Sequence, residues 1–247
     1  MSKSLANVDT IFFDVGATLR YVVPDEAFAR AAEDELMRLV GAEEEHDVFF
    51  EKLEKNWKAY RKYAKTALID CSEMELWLQY LLPDYPEEKV AKNAARLTRL
   101  WRDHDGRRLA HEDVVPTLHE LVKRGYKLGI IANTITETEI PDWMCGAGVA
   151  KCFTTVILSA KVRLRKPNPE IYLLAARCIG TEPENCAYVG DNPVRDVDGA
   201  VDAGYGAMIL YEDAGTADRE GAAPNHLPDY TIRSIGDLLA LFPDRNA

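Results

Sequence analysis

The chain has 247 residues, 47% of them hydrophobic, which suffices for one large domain or a core domain with a smaller insert. Acidic residues outnumber basic ones 41 to 30, and the net charge of −11 argues against a general nucleic-acid or membrane surface. Five cysteines, Cys71, Cys145, Cys152, Cys178 and Cys186, lie scattered without CxxC spacing and read as reduced thiols of a cytoplasmic protein. The N-terminal stretch lacks the apolar core of a signal peptide, and no run is long enough to span a membrane.

In chain order, Val8 to Phe13 predicts a first strand that ends at Asp14. From about Asp25 to about Asp103 the pattern is helix after helix. Asp25 caps the first helix, through "EAFARAAEDELMRLV", and "EHDVFFEKLEKNWKAYRKYAK" forms the second. Ser72 and Glu75 make a capping box before "LWLQYLL", and "PEEKVAKNAARLTRLWRD" opens on a proline. After Gly106 strands and helices alternate. "VVPTLHELVKRG" is helical, "YKLGIIAN" and "TTVILSA" are strands, and "NPEIYLLAARCIG" is helical. The strand "CAYVGD", the helix "PVRDVDGAVDAG", the strand "YGAMILY" and the helix "SIGDLLALF" complete the chain. Such alternation predicts an α/β fold with a parallel sheet and helices on both faces. Sites in these sheets lie at the carboxyl ends of the strands, so Asp14, Asn133 and Asp191 should converge on one crevice.

Four stretches carry the chemistry: "DVGATL" at Asp14 to Leu19, "IIAN" at Ile130 to Asn133, "RKPNPEIY" at Arg165 to Tyr172, and "VGDNPVRDVDGA" at Val189 to Ala200. In order and spacing they resemble the haloacid dehalogenase-like hydrolase superfamily, in the branch with a helical cap inserted after the first motif. The resemblance implies a Rossmann-like three-layer α/β/α core over 1–20 and 106–247, with an α-helical cap over 21–105. It implies Asp14 as a nucleophile that forms an aspartyl-phosphate, and Lys166 as the lysine that neutralises it. It further implies Mg²⁺ held by Asp14, the Gly16 carbonyl and Asp191, with Asp196 ordering metal-bound waters or holding Lys166.

Two positions depart from the family pattern. Phosphatases of the family carry a second aspartate two residues after the nucleophile, as general acid and base; here Gly16 has no side chain. Loss of such help costs ~10²–10⁴-fold, less when the leaving group needs no proton. The family's serine or threonine at the end of the second motif is Ala132 here; Asn133 keeps the pattern, and Thr134 is a candidate to supply the hydroxyl to the phosphoryl group. Arg20, just after the nucleophile loop, is a candidate for meeting an anionic substrate. Lys52, Lys55, Lys58, Lys62 and Lys65 recur at helical spacing and read as a solvated face or an anion entrance. His104, His111 and His119 have no metal-ligand spacing.

The expected function is hydrolysis of a small anionic phosphorylated metabolite, by a monomer or homodimer with no nucleic-acid or membrane partner. Two other readings fit the departures: a C–P or C–halogen hydrolase of the same superfamily, or a catalytically weak binding or regulatory protein.

Overall fold

The computed structural model describes residues 4–212 and 223–246. Strand β1 (Thr10–Phe13) has every residue buried, as a strand covered on both faces must. Ile11 and Phe13 point into one apolar layer and Phe12 into the other, the period-two alternation of a strand. The chain then makes β2 (Arg20–Val23), α1 (Glu26–Val40), α2 (His46–Ala67), a short α3 (Glu73–Glu75) and α4 (Glu87–Asp103). It returns through β3 (Arg107–Ala110) to α5 (Val114–Lys123), β4 (Lys127–Ala132), α6 (Glu139–Gly146) and β5 (Phe153–Leu158). The rest comprises α7 (Ser159–Val162), α8 (Pro169–Ile179), β6 (Cys186–Gly190), α9 (Gly199–Asp202), β7 (Ala207–Tyr211), β8 (Tyr230–Ile232) and α10 (Leu238–Leu241).

Six strands form one sheet in the order β5-β4-β1-β6-β7-β8, and every neighbouring pair is parallel. The chain winds outward from β1 in both directions, so β1 lies at the switch point where such sheets open a crevice. Phe13 is in register with Ile130 of β4 and Val189 of β6, which brings the ends of the three strands together. Gly129 is needed for the packing there: a Cβ on it would come within 2.3 Å of the Phe12 ring.

The helices between β2 and β3 share an apolar cluster of their own, built from residues such as Leu36, Phe49, Leu53, Trp77, Leu97 and Trp101. Local chemistry sets their ends as the sequence predicts. The Asp25 side chain accepts the Phe28 N–H at 2.9 Å, and Gly41 ends α1 at φ +70°. Ser72 and Glu75 form the reciprocal capping box. After it the backbone runs as a π-helix over Leu76–Leu81, and Trp77 donates to Thr98 at 2.7 Å. No helix among the described residues is long and apolar enough to cross a membrane.

Two elements at the junction are absent from the sequence expectation. β2 and β3 pair antiparallel, Arg20 opposite Ala110 and Val23 opposite Arg107, as a ribbon at the base of the helical unit. Four-residue strands rich in arginine and half exposed carry too little alternation to register as strands.

Candidate active site

Asp14 follows β1 directly and is 4% exposed. Its backbone N–H donates to the Val189 carbonyl at 2.9 Å, which extends the pairing of β1 with β6 by one residue. Lys166 approaches from the loop between α7 and α8. Its ammonium, buried to 1% exposure, donates to Asp14 Oδ1 at 2.9 Å, to Asp196 Oδ1 at 2.7 Å and to the Tyr188 hydroxyl at 2.5 Å. Tyr188 in turn donates to the Ile131 carbonyl at 3.0 Å. All three donor positions of the ammonium are therefore used, and its direction is fixed.

Asn133 holds the lysine in place through the backbone. Its Nδ2 donates to the Lys166 carbonyl at 3.0 Å and its Oδ1 accepts the Lys166 N–H at 2.9 Å. Thr134 donates its backbone N–H to Ser159 Oγ at 2.9 Å, and its own hydroxyl accepts the Thr136 N–H at 3.3 Å. Asn133 and Thr134 both line the cavity above Asp14.

Asp191 follows β6, and Asp196 lies within a π-helical turn over Pro193–Asp198. Asn192 caps that turn by accepting the Arg195 N–H at 2.7 Å, and Asp196 Oδ2 accepts the Asn192 N–H at 2.9 Å. A Cβ at Gly190 would stand 2.6 Å from the Asp196 carboxylate, so only glycine lets that turn fold back on the strand end. Oxygens of Asp14, Asp191 and Asp196 all lie within 4.8 Å of one another. An all-oxygen, mostly carboxylate donor set suits a hard cation such as Mg²⁺. Asp196 commits its two oxygens to Lys166 and Asn192, whereas Asp14 Oδ2 and Asp191 Oδ1 face each other across Arg195.

A residue that the motif reading passed over lies between that pair. Arg195 Nη2 is 3.4 Å from Asp14 Oδ2 and 3.3 Å from Asp191 Oδ1, and its Nε is 3.7 Å from Asp196 Oδ1. Its place in the turn that Asn192 caps, directly after Asp191, was the available signal. Thr18 adds a hydroxyl donated to Asp191 Oδ1 at 3.3 Å.

The electrostatics follow from this geometry. Burial pushes the Asp14 carboxyl up, but the charges of Lys166 and then Arg195 outweigh it and hold the group below the ordinary carboxylate range. Asp14 is thus ionised at neutral pH. Burial works against the Arg195 cation as well, and Asp196 and Asp14 more than offset it, so its proton is held more tightly than usual.

Gly16 sits in open space: a Cβ there would meet nothing within 4 Å. It borders a cavity of about 190 Å³ that Asp14, Arg20, Arg102, Ala132 and Arg195 also line. The Arg20 guanidinium is tied down on that wall. It makes a two-pronged pair with Glu139 at 2.5 and 2.6 Å and stacks 5.1 Å from the centre of the Trp143 ring.

A second cavity of about 250 Å³ shares Arg102, Asn133, Thr134 and Arg195 with the first and continues to Trp57, Arg61 and Trp101 of the helical unit. None of the five periodic lysines of α2 lines either cavity. The helical unit is latched beside Lys166: buried Asp70 accepts from Arg165 at 2.8 and 3.0 Å and from the Tyr60 hydroxyl at 3.0 Å.

A family model for haloacid dehalogenase-like hydrolases matches residues 8–204. The chain belongs to this family. It is 28% identical over 190 residues to the glyceraldehyde 3-phosphate phosphatase of Methanopyrus kandleri, covering 69% of this chain and 80% of that one. It is 31% identical over 185 residues to pyrophosphatase PpaX of Halalkalibacterium halodurans, covering 72% of this chain and 80% of the relative. The fold matches the crystal structure of a 2-haloacid dehalogenase from Pseudomonas syringae with a TM-score of 0.67 at 21% identity, over 95% of this chain and 97% of that one. The chain is therefore a hydrolase with the parallel α/β core of this family.

Proposed function

We propose that the chain is a magnesium-dependent phosphohydrolase of small phosphorylated metabolites that works through an aspartyl-phosphate on Asp14. The observation that carries this reading is the ionised Asp14 carboxylate at a strand end, 2.9 Å from a buried lysine and within one cluster with Asp191 and Asp196. Asp14, Asp191 and the Gly16 carbonyl are the groups that would hold Mg²⁺, with Asp196 behind them keeping Lys166 in position. When bound, the ion supplies positive charge that offsets repulsion between the nucleophile and the phosphoryl oxygens.

An Asp14 oxygen attacks phosphorus while the bond from phosphorus to the leaving oxygen breaks. Lys166 offsets the charge carried into the site. Position 16 has no proton to give, so the leaving oxygen departs as an anion. That restricts efficient turnover to weakly basic leaving groups: acyl phosphates, aryl phosphates or phosphoanhydrides. A relative named as a pyrophosphatase fits this class. Water then attacks the phosphorus of the aspartyl-phosphate, its bond to Asp14 breaks, and inorganic phosphate leaves. This step too lacks a base at position 16, so the phosphoenzyme is expected to accumulate.

Acid-quenched mass spectrometry during turnover of an aryl phosphate should find a phosphoryl adduct on Asp14, with turnover that stops when magnesium is chelated. Asp14→Asn should lose both the adduct and at least ~10⁴-fold in rate. Metal-stimulated turnover that survives Asp14→Asn would sink the reading.

A further inference from the structure

The arginines around the cavity between sheet and helical unit are of two kinds. Arg20, Arg165 and Arg195 are paired within 4 Å with Glu139, Asp70 and the Asp14–Asp191 pair. Arg61 of α2 and Arg102 of α4 form no ion pair among the described residues. Arg61 lies 5.8 Å from the Trp57 ring centre and is otherwise open to the cavity. Arg102 lies deep among protein atoms with part of its surface on both cavities, and its buried Nε has no hydrogen-bond partner. The single carboxylate on the upper cavity wall, Asp105, is taken by Arg108 at 2.7 Å.

We propose that Arg61 and Arg102 form a second anion site, and that the substrate is a short phosphate compound with a further carboxylate or phosphoryl group at its far end. The substrate class rests on the phosphohydrolase reading of Asp14; the anion site rests on the arginines themselves. Each guanidinium group has cationic neighbours, while its carboxylate neighbours, Glu54 for Arg61 and Glu139 and Asp105 for Arg102, lie beyond ion-pair distance. Burial, then Arg165 and Arg195, depress the proton affinity of Arg61. Burial, then Arg108, push that of Arg102 down to about 10, so it remains a cation at neutral pH. A bound anion relieves the like-charge crowding at the guanidinium surfaces that line the cavities.

The arrangement also sets length and shape. Arg102 borders the lower cavity with Asp14 as well as the upper one with Arg61, so an occupant of the Asp14 cavity extends past Arg102 toward Arg61. The upper wall is stiffened by aromatic contacts: Trp57 meets Tyr60 at 5.7 Å and Trp101 at 6.1 Å, and Trp101 stacks on His104 at 4.1 Å. The adjoining volumes of about 250 and 190 Å³ together stay near the low end of the ~300–1,000 Å³ range of ligand pockets, which suits a short occupant.

The test is calorimetric titration of the full chain, in magnesium buffer, with three non-hydrolysable probes that each contain three carbons. Propylphosphonate carries one anionic end, 3-phosphonopropionate adds a carboxylate, and propane-1,3-bisphosphonate adds a second phosphonate. The two-ended probes should bind about 10- to 100-fold more tightly than propylphosphonate, the range for hydrogen bonds to charged groups. Whichever binds better identifies the second anion. In Arg61→Gln/Arg102→Gln the margin should fall to near parity, and Arg61→Lys/Arg102→Lys should restore part of it. Thermal unfolding checks that each variant is folded. Equal binding of the three probes by the natural chain, no binding of any, or an undiminished margin in the folded glutamine variant overturns the proposal. Aryl phosphate turnover separates the two readings. Turnover without the margin removes the anion site alone; the margin without turnover removes hydrolysis at Asp14 and leaves the anion site standing.

Discussion

Two charge clusters border the cavity below the helical unit, one built around carboxylates and the other around guanidinium groups. On the sheet side Asp14, Asp191 and Asp196 stand against Lys166 and Arg195, three carboxylates to two cations. On the ribbon side the Glu139 carboxylate is surrounded by Arg20, Arg102 and Arg108. Buried charge without compensation is costly. The first cluster has one carboxylate more than its cations, and the proposed magnesium would offset it. Ion pairs here do more than hold the fold together: they present carboxylates on one wall and guanidinium groups on the other. A structural pair such as Asp70 and Arg165 instead fastens the helical unit beside Lys166.

Substitutions can break this opposition. The largest effect is expected at Lys166, whose removal leaves three carboxylates against Arg195 alone. Lys166→Met should lower stability by about 3–5 kcal/mol, the usual result of removing one partner of a buried pair, and should abolish aryl phosphate turnover; urea unfolding and a steady-state assay check both. On the other wall Glu139→Gln leaves Arg20 buried without a counter-ion, and a loss of about 3 kcal/mol is expected by the same measurement. Glu139 also gives a pH signature. Burial raises its carboxyl, but Arg20, Arg102 and Arg108 outweigh that and hold it below the ordinary value of 4.5. Its stabilisation is therefore full above about pH 4.5 and fades as pH falls through the lowered folded value. Glu139→Gln should remove that part of the acid limb of the stability curve.

The next effect concerns chemistry rather than balance. A Cβ at position 16 meets nothing, so Gly16→Asp can be accommodated. It should raise turnover of alkyl phosphates about 10²-fold, the lower end for general acid–base help, and diminish the phosphoenzyme that accumulates. No gain in a folded variant would show that another group already moves the proton. The smallest effect is expected at Arg195, which lies between the two carboxylates that would hold the metal. Arg195→Gln should bind Mg²⁺ about tenfold more tightly by calorimetry, because one opposing charge near the surface is worth of order 1 kcal/mol. Unchanged or weaker affinity would mean that the guanidinium does not compete with the ion.

Strand ends read from periodicity placed Asp14 and Asp191, and the resemblance of the surrounding motifs to the family added Lys166 and Asp196. The parallel order of the sheet followed from alternation, and the convergence of Asp14 and Asp191 followed from the parallel order. Arg195 was within reach of a capping argument, in the turn that opens after Asp191, and was hidden by the motif around it. Glu139, Arg102 and Arg61 carry no local signal: their roles arise from α6, α4 and α2 packing around one cavity, across separations that no window along the chain spans. The β2–β3 ribbon likewise exists because its two short strands meet through tertiary contact. The motif stretches wrote Asp14, Lys166 and Asp191 into the chain, whereas the grouping of carboxylates on one wall of the cavity and guanidinium groups on the other was set only when distant segments closed around it.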